Sequence, residues 1–313
     1  MGRDTLSIGG GVIEHLQRLG VTVPPVADGL TTDEYFAFWR AVAASDDRAD
    51  LGLSIGGAVF GRSVSAQAAL QAPTLGDALR TIGRYKRLSC PEDVLVEVRD
   101  GEPSVRFDWV LATGEVPPLL VDAVFAAHVA LTARGTGGKA APVRIELARK
   151  RRHAEVLRAH FRCPIVFGAT HDRIVFAAGA LAIPFVGANR EAYAQLLPGL
   201  EARLAARRSL VGDVRIAIAR TISAGARPSV ETVAERLETS ARTLQRRLGR
   251  ARTTFQDQLD DVRRVAARRL LAHTELEPID IAFLLGFAEP NSFARAFRHW
   301  ERTTPLRWRS ARG

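Results

Sequence analysis

Apolar residues recur along the 313-residue chain with two different periods, and the change of period divides it. Near the start, Ile8, Val12, Leu16 and Leu19 fall on one side of a helix predicted over 6–19, and Pro24-Pro25 ends that segment. Thr31-Thr32-Asp33-Glu34 reads as a helix N-cap, and Tyr35, Phe36, Phe38, Trp39 and Val42 form the apolar face that follows. Helices are also predicted over 64–70 and 74–88. The latter opens with Thr74 and Asp77 and carries Leu75, Ala78, Leu79, Ile82 and Tyr85 on its inner stripe. From Val94 the period falls to two. Val94, Val96 and Val98, a turn at Asp100-Gly101-Glu102-Pro103, and the return through Val105, Phe107 and Trp109 predict a β-hairpin. A helix over 117–134, a strand around Val143, Ile145 and Leu147, a helix over 153–161 and a second hairpin pairing 165–167 with 173–176 complete the region. The fold class expected here is α+β, built on antiparallel hairpins.

Beyond residue 188 the period is helical throughout. Ala192, Leu196, Leu200 and Leu204 stripe a helix over 189–208; such a stripe can pack on its own domain or on a second copy of the chain. From Val230 the same small pattern occurs twice. Val233-Ala234, Leu237 and Ser240 precede Thr243-Leu244-Gln245-Arg246-Arg247-Leu248; Ile281-Ala282, Leu285 and Gly286-Phe287 precede Ser292-Phe293-Ala294-Arg295-Ala296-Phe297. Each copy predicts a short helix, a tight corner and a second helix with an apolar inner stripe and a polar outer face. That is the outline of a helix-turn-helix, whose second helix enters a DNA major groove. A helix over 255–271, about 25 Å long at 1.5 Å per residue, separates the copies. Reading helices one turn of DNA apart must stand about 34 Å from each other, so it has the proportions of a strut.

Charge sharpens this picture. The formal net charge is +10. From Val211 onward the chain holds 19 Arg, no Lys and 12 acids, against 25 cations and 22 acids before it, so most of the excess lies beside the repeated pattern. A polyanionic partner is therefore expected. An arginine-rich coding bias would account for Arg over Lys, but less well for its location. Two cysteines form no disulfide framework, no apolar run is expected to reach membrane-spanning length, and the start lacks a basic stretch followed by an apolar one, which points to the cytoplasm. Gly9-Gly10-Gly11 lacks the lysine and the preceding strand of a phosphate loop, and no triad or paired-carboxylate signature is visible, so neither an enzyme nor a cofactor is expected. Cys163 with His153, His160 and His171 matches no standard metal spacing. The rival readings are an enzymatic or metal-sensing domain fused to a DNA-binding one, and a non-specific architectural DNA binder.

The repeated region resembles the DNA-binding domain of the AraC/XylS family of transcription regulators. The likeness rests on Ile281-Ala282-x-x-Leu285-Gly286-Phe287, Ser292-Phe293-x-Arg295-x-Phe297-Arg298 and Thr304-Pro305-x-x-x-Arg309. In the first copy it rests on Ala234, Leu237, Ser240, Arg242, Leu244, Arg246 and Leu248. The sequence departs from that family at Pro290, where a polar base-contacting residue is common, and at Glu301-Arg302-Thr303, where a glycine is common. Leu75-x-x-Ala78-Leu79-x-x-Ile82-x-x-Tyr85-x-Arg87-Leu88 is similar, more loosely, to effector domains of the branch that includes ornithine-utilisation and mycobacterial virulence regulators. The resemblance implies an effector domain over 1–188, a linker helix over 189–211 and a DNA-binding domain over 212–313. It implies base contacts from Arg242, Gln245 and Arg246 in one major groove and from Pro290, Asn291 and Arg295 in the adjacent one. Phosphate contacts would come from Ser240, Thr243, Arg247, Arg250, Arg252, Ser292, Arg298 and Thr304. Tyr35, Trp39, Tyr85 and Trp109 are candidates to line an effector pocket, although core packing would use the same residues. The implied partners are double-stranded DNA and a small-molecule effector, with RNA polymerase and a second copy of the chain beside them, and family habit favours an activator.

Overall fold

A computed structural model describes residues 6–27, 29–109, 112 and 115–311. The chain opens with α1 (Gly10–Arg18), α2 (Thr32–Ser45), α3 (Leu51–Val59), α4 (Val64–Leu70) and α5 (Leu75–Tyr85). The start of α2 follows its sequence: Thr31 Oγ1 accepts from the Glu34 amide while the Glu34 carboxylate accepts from the Thr31 amide, a closed capping box. Helix α3 has no counterpart among the predicted elements, because Leu51 to Val59 carries no polar face to set a period. It is buried by close approach to α6 (Pro118–Thr136). A Cβ at Gly56 would lie 2.1 Å from the Ala123 carbonyl oxygen, and one at Gly52 would lie 2.7 Å from that of Leu119, so the two helices touch backbone to backbone. Contrary to the expectation from the sequence, α6 is by length and composition apolar enough to cross a membrane; in this fold it is a mostly buried core helix.

Strands β1 (Asp93–Arg99) and β2 (Glu102–Asp108) form the first hairpin, with Val96 opposite Val105. After α6 come β3 (Pro142–Leu147), α7 (Ala154–Phe161), β4 (Ile165–Phe167) and β5 (Asp172–Phe176). The second hairpin does not form. Strand β4 pairs parallel with β3, and β5 inserts antiparallel between β2 and β3, giving the order β1-β2-β5-β3-β4. The segment after β4 crosses over instead of turning back: the Gly168 amide donates to the Arg149 carbonyl, the Ala169 amide to that of Leu147, and Asp172 Oδ1 accepts from the Ala148 amide at 2.8 Å. The result is an α+β domain on a mixed sheet.

The helical remainder comprises α8 (Arg190–Arg207), α9 (Leu210–Ser223), α10 (Val230–Arg236), α11 (Ala241–Arg250), α12 (Phe255–His273), α13 (Pro278–Leu284), α14 (Pro290–Glu301) and α15 (Pro305–Ser310). Leu196, Leu200 and Leu204 of α8 pack on Ala68 and Tyr85 of the same chain, so this stripe is used within one molecule. Val214 and Ile218 of α9, Val233 of α10 and Leu244 and Leu248 of α11 close one small core on Leu259 and Val262 of α12. Ile281 of α13, Phe293 and Phe297 of α14 and Trp308 of α15 close a second on Ala267, Leu270 and Leu271 of the same α12.

Candidate nucleic-acid interface

The two corners are built alike. In the first, the Glu238 amide donates to the Glu235 carbonyl and the Thr239 amide to that of Ala234; in the second, Gly286 donates to Phe283 and Phe287 to Ala282. Glu238 (φ 51°) and Gly286 (φ 71°) both take the left-handed conformation that ends a helix. These positions are 48 residues apart, whereas Leu244 and Phe293, like Arg246 and Arg295, are 49 apart, so the second corner is one residue longer. The first second-helix is capped by Ser240, whose Oγ accepts from the Thr243 amide and donates to Thr243 Oγ1. The other begins with Pro290 at its first turn and no side-chain cap.

Leu244 and Leu248, and Phe293 and Phe297, are buried; their spacing of four fixes which side of each helix faces out. Arg242, Gln245, Arg246, Arg247 and Arg250 of α11 are exposed, as are Arg252 beyond it and Asn291, Arg295 and Arg298 of α14. Ser240 is exposed, while Thr243, Pro290, Ser292 and Thr304 are half-buried. Arg295 Nη2 donates to Ser292 Oγ at 3.1 Å, and Thr304 caps α15. Each module thus offers guanidinium and amide groups on one outer face, the donors suited to guanine, adenine and phosphate.

Arginines that the periodicity leaves on the surface hold this interface in place. Arg263 of α12 is 8% exposed; it donates to the Leu285 carbonyl at 2.9 Å and the Gly286 carbonyl at 2.7 Å, and its guanidinium lies 4.0 Å from the Phe287 ring centre. Burial pulls it down to about 10, so it stays a cation at neutral pH. Arg264 and Arg268 grip Glu301 at 2.8 and 2.7 Å, fixing the end of α14 to α12. Arg309 donates to the carbonyls of Leu271 and Leu276, which ties α15 to the end of α12. Arg302, within the Glu301-Arg302-Thr303 stretch that lacks a glycine, adopts φ 58° and ends α14. The signal for the α12 roles was the segregation of its charges, with Asp257, Asp260 and Asp261 all preceding Arg263, Arg264, Arg268 and Arg269, so that the later arginines find acceptors elsewhere.

The helical part is also bound to the N-terminal α+β part. Arg220 of α9 reaches Asp93 of β1 through bonds of 2.7 and 2.8 Å, Arg87 reaches Asp213 at 2.7 Å, and Arg269 of α12 donates to the Thr170 carbonyl at 2.9 Å. Between these ties lies a cleft of about 1020 Å³, with walls from the end of β2, the start of β5, α9, α12 and α13. Of the four aromatic candidates, Trp109 lines it. Tyr35 and Trp39 pack with Phe36 and Phe38 in the N-terminal core, and Tyr85 packs on Leu200. Cys90 and Cys163 are buried free thiols, and among the described residues no three His, Cys, Asp or Glu side chains are grouped to hold a metal.

Comparison with known proteins agrees with both halves. Residues 9–185 match the arabinose-binding domain of AraC transcription regulators, and residues 233–311 match a helix-turn-helix domain. The chain is 30% identical to the ornithine utilization regulator of Pseudomonas aeruginosa, over 81% of this chain and 76% of that protein. The chain belongs to the AraC family of transcription regulators. It is also 29% identical to the HTH-type transcriptional regulator VirS of Mycobacterium tuberculosis, over 78% of this chain and 73% of that one. The crystal structure of the regulator CdpR from Pseudomonas aeruginosa, 22% identical, covers 96% of each chain with a TM-score of 0.49. The helix-turn-helix match spans most of α10 and all of α11 to α15, and the arabinose-binding-domain match spans the sheet with α1 to α7.

Proposed function

We propose that this AraC-family regulator recognises one operator through two adjacent major grooves. Arg242, Gln245 and Arg246 read bases in one; Asn291 and Arg295, with Pro290 against a thymine methyl, read the other. Arg247, Arg250, Arg252 and Arg298 hold phosphates, as do the hydroxyls of Ser240, Thr243, Ser292 and Thr304. The observation that carries this reading is the pair of outward guanidinium faces mounted on one shared helix, α12. A small molecule sensed by the N-terminal domain changes how the modules are presented, and the chain acts in the cytoplasm as an activator that engages RNA polymerase and does no chemistry of its own. Its test is selection of bound sequences from a random duplex pool, followed by footprinting. The expected product is a bipartite site with half-sites about one helical turn apart. A pool that stays random, or a footprint covering a single groove, would refute it.

A further inference from the structure

The cleft between the sheet and the helical part has an unbalanced polar lining. Its two buried acids are already engaged: Asp108 accepts from Arg106 and lies 3.3 Å from His171, and Asp172 accepts from Trp109 Nε1 and from the Ala148 amide; the other two, Glu115 and Asp280, are exposed at the rim, Glu115 lying 3.8 Å from His273. Its donors are not. Nε of Arg149, Arg173, Arg268 and Arg269, and Nδ1 of His273, are buried nitrogens without a hydrogen-bond acceptor, and all five residues line this one cleft. Buried donors are normally paired, so side chains that line one cavity and each keep an unpaired nitrogen leave cationic groups there with spare capacity for an acceptor. Much of the remaining wall is apolar, with Ile222 from α9, Val262 and Val265 from α12, and Phe283 and Leu284 from α13 beside Asp280. Phe283 and Leu284 are exposed at 55% and 44%. The volume lies at the upper end of the range for small-molecule sites.

We propose that this cleft is the effector site, and that it takes an organic anion: a carboxylate or sulfonate head among Arg149, Arg173, Arg269 and His273, and a hydrocarbon body against Val265, Phe283 and Leu284. The proposal rests on the effector-responsive reading above and adds the location and the chemical class. Both halves of the chain contribute walls, so an occupant bears on α12 directly, and α12 carries both reading modules. Coupling then needs no relay through the N-terminal core; it requires only that the occupant bind two arrangements of the walls unequally.

The experiment uses the full chain and anilinonaphthalene sulfonate, a fluorescent anion with an apolar body. One saturable site per chain is expected, with displacement by 3-phenylpropionate and not by its neutral amide. Arg269→Gln should weaken the probe at least tenfold, and Ala266→Trp, which fills the cleft from α12, should abolish binding. Arg173→Gln, on a different element, replaces Arg269→Gln if that variant does not melt cooperatively. Absence of saturable uptake, equal displacement by acid and amide, or unchanged probe affinity in these variants would overturn the proposal. Operator binding by the same samples without probe is read separately. Its loss with intact probe displacement counts against the DNA reading alone, and its retention with failed displacement counts against the cleft alone.

Discussion

Arg263 gives the sharpest mechanical test of how the second module is held. Its side chain supplies two charge-assisted hydrogen bonds to the corner carbonyls and a stacked contact with Phe287. Such bonds contribute roughly 1.5–3 kcal/mol each and a desolvated cation–π contact about 2 kcal/mol. They belong to one side chain, and Gly286 is only half-buried, so the sum overstates the loss. Arg263→Ala should cost about 3–4 kcal/mol. Arg263→Lys keeps the charge but loses the planar fork, and should cost about 2 kcal/mol. The damage should fall mainly on the second module, because the first closes its own core of Val214, Val233 and Leu244 on Leu259 and Val262, although Gly286 also lies beside Pro228. The assays are urea unfolding and operator footprinting of the same variant. Footprint protection should fade over the half-site assigned to Asn291 and Arg295 and persist over the other. A cost below about 1 kcal/mol, or equal loss over both half-sites, would refute the reasoning.

Arg246→Ala and Arg295→Ala should each lose about 1–3 kcal/mol of base discrimination with no change in melting, because both side chains are exposed; Arg247→Ala should instead weaken all sequences alike and lower the salt slope by about 1. A drop in melting temperature for either of the first two would show that they support the fold rather than read DNA. The matched corners predict opposite responses in urea: Glu238→Gly should stabilise by about 0.5–1 kcal/mol and Gly286→Ala should destabilise by about 1–2 kcal/mol, whereas the same sign in both would contradict the left-handed geometry. Burial lowers the pKa of His273 and holds His128 at about 3, so the folded chain binds fewer protons than the unfolded one below pH 6.5. Stability present above that pH should fall on acidification, and His273→Gln should flatten part of the decline in urea midpoints between pH 7 and 5; an unchanged slope would remove His273 from the account.

The helix-turn-helix modules were legible because their signals are local. Leu244 and Leu248 lie four apart on one helix, Ser240 caps it, and Gly286 marks a corner. The sheet was less so: 165–167 and 173–176 look like hairpin arms, and only the pairing of β4 with β3 and the reach of Asp172 to Ala148 settle the topology. Helix α3 was hidden by its uniform apolarity. Arg263 reads as a surface charge in any periodic scheme, since its acceptors are carbonyls more than twenty residues away. The cleft escaped for a related reason. Arg99 and Trp308 both line it, and nothing local in the chain connects them.

Helix α12 belongs to two cores at once, with Leu259 and Val262 in one and Leu270 and Leu271 in the other. At 3.6 residues per turn, one inserted residue between those pairs would swing everything after it by about 100°. A single added base pair in the operator spacer would misphase the half-sites too. If the two modules read adjacent grooves as proposed, gene and promoter are locked in register: the span from Leu259 to Leu270 can change only in step with the operator spacer.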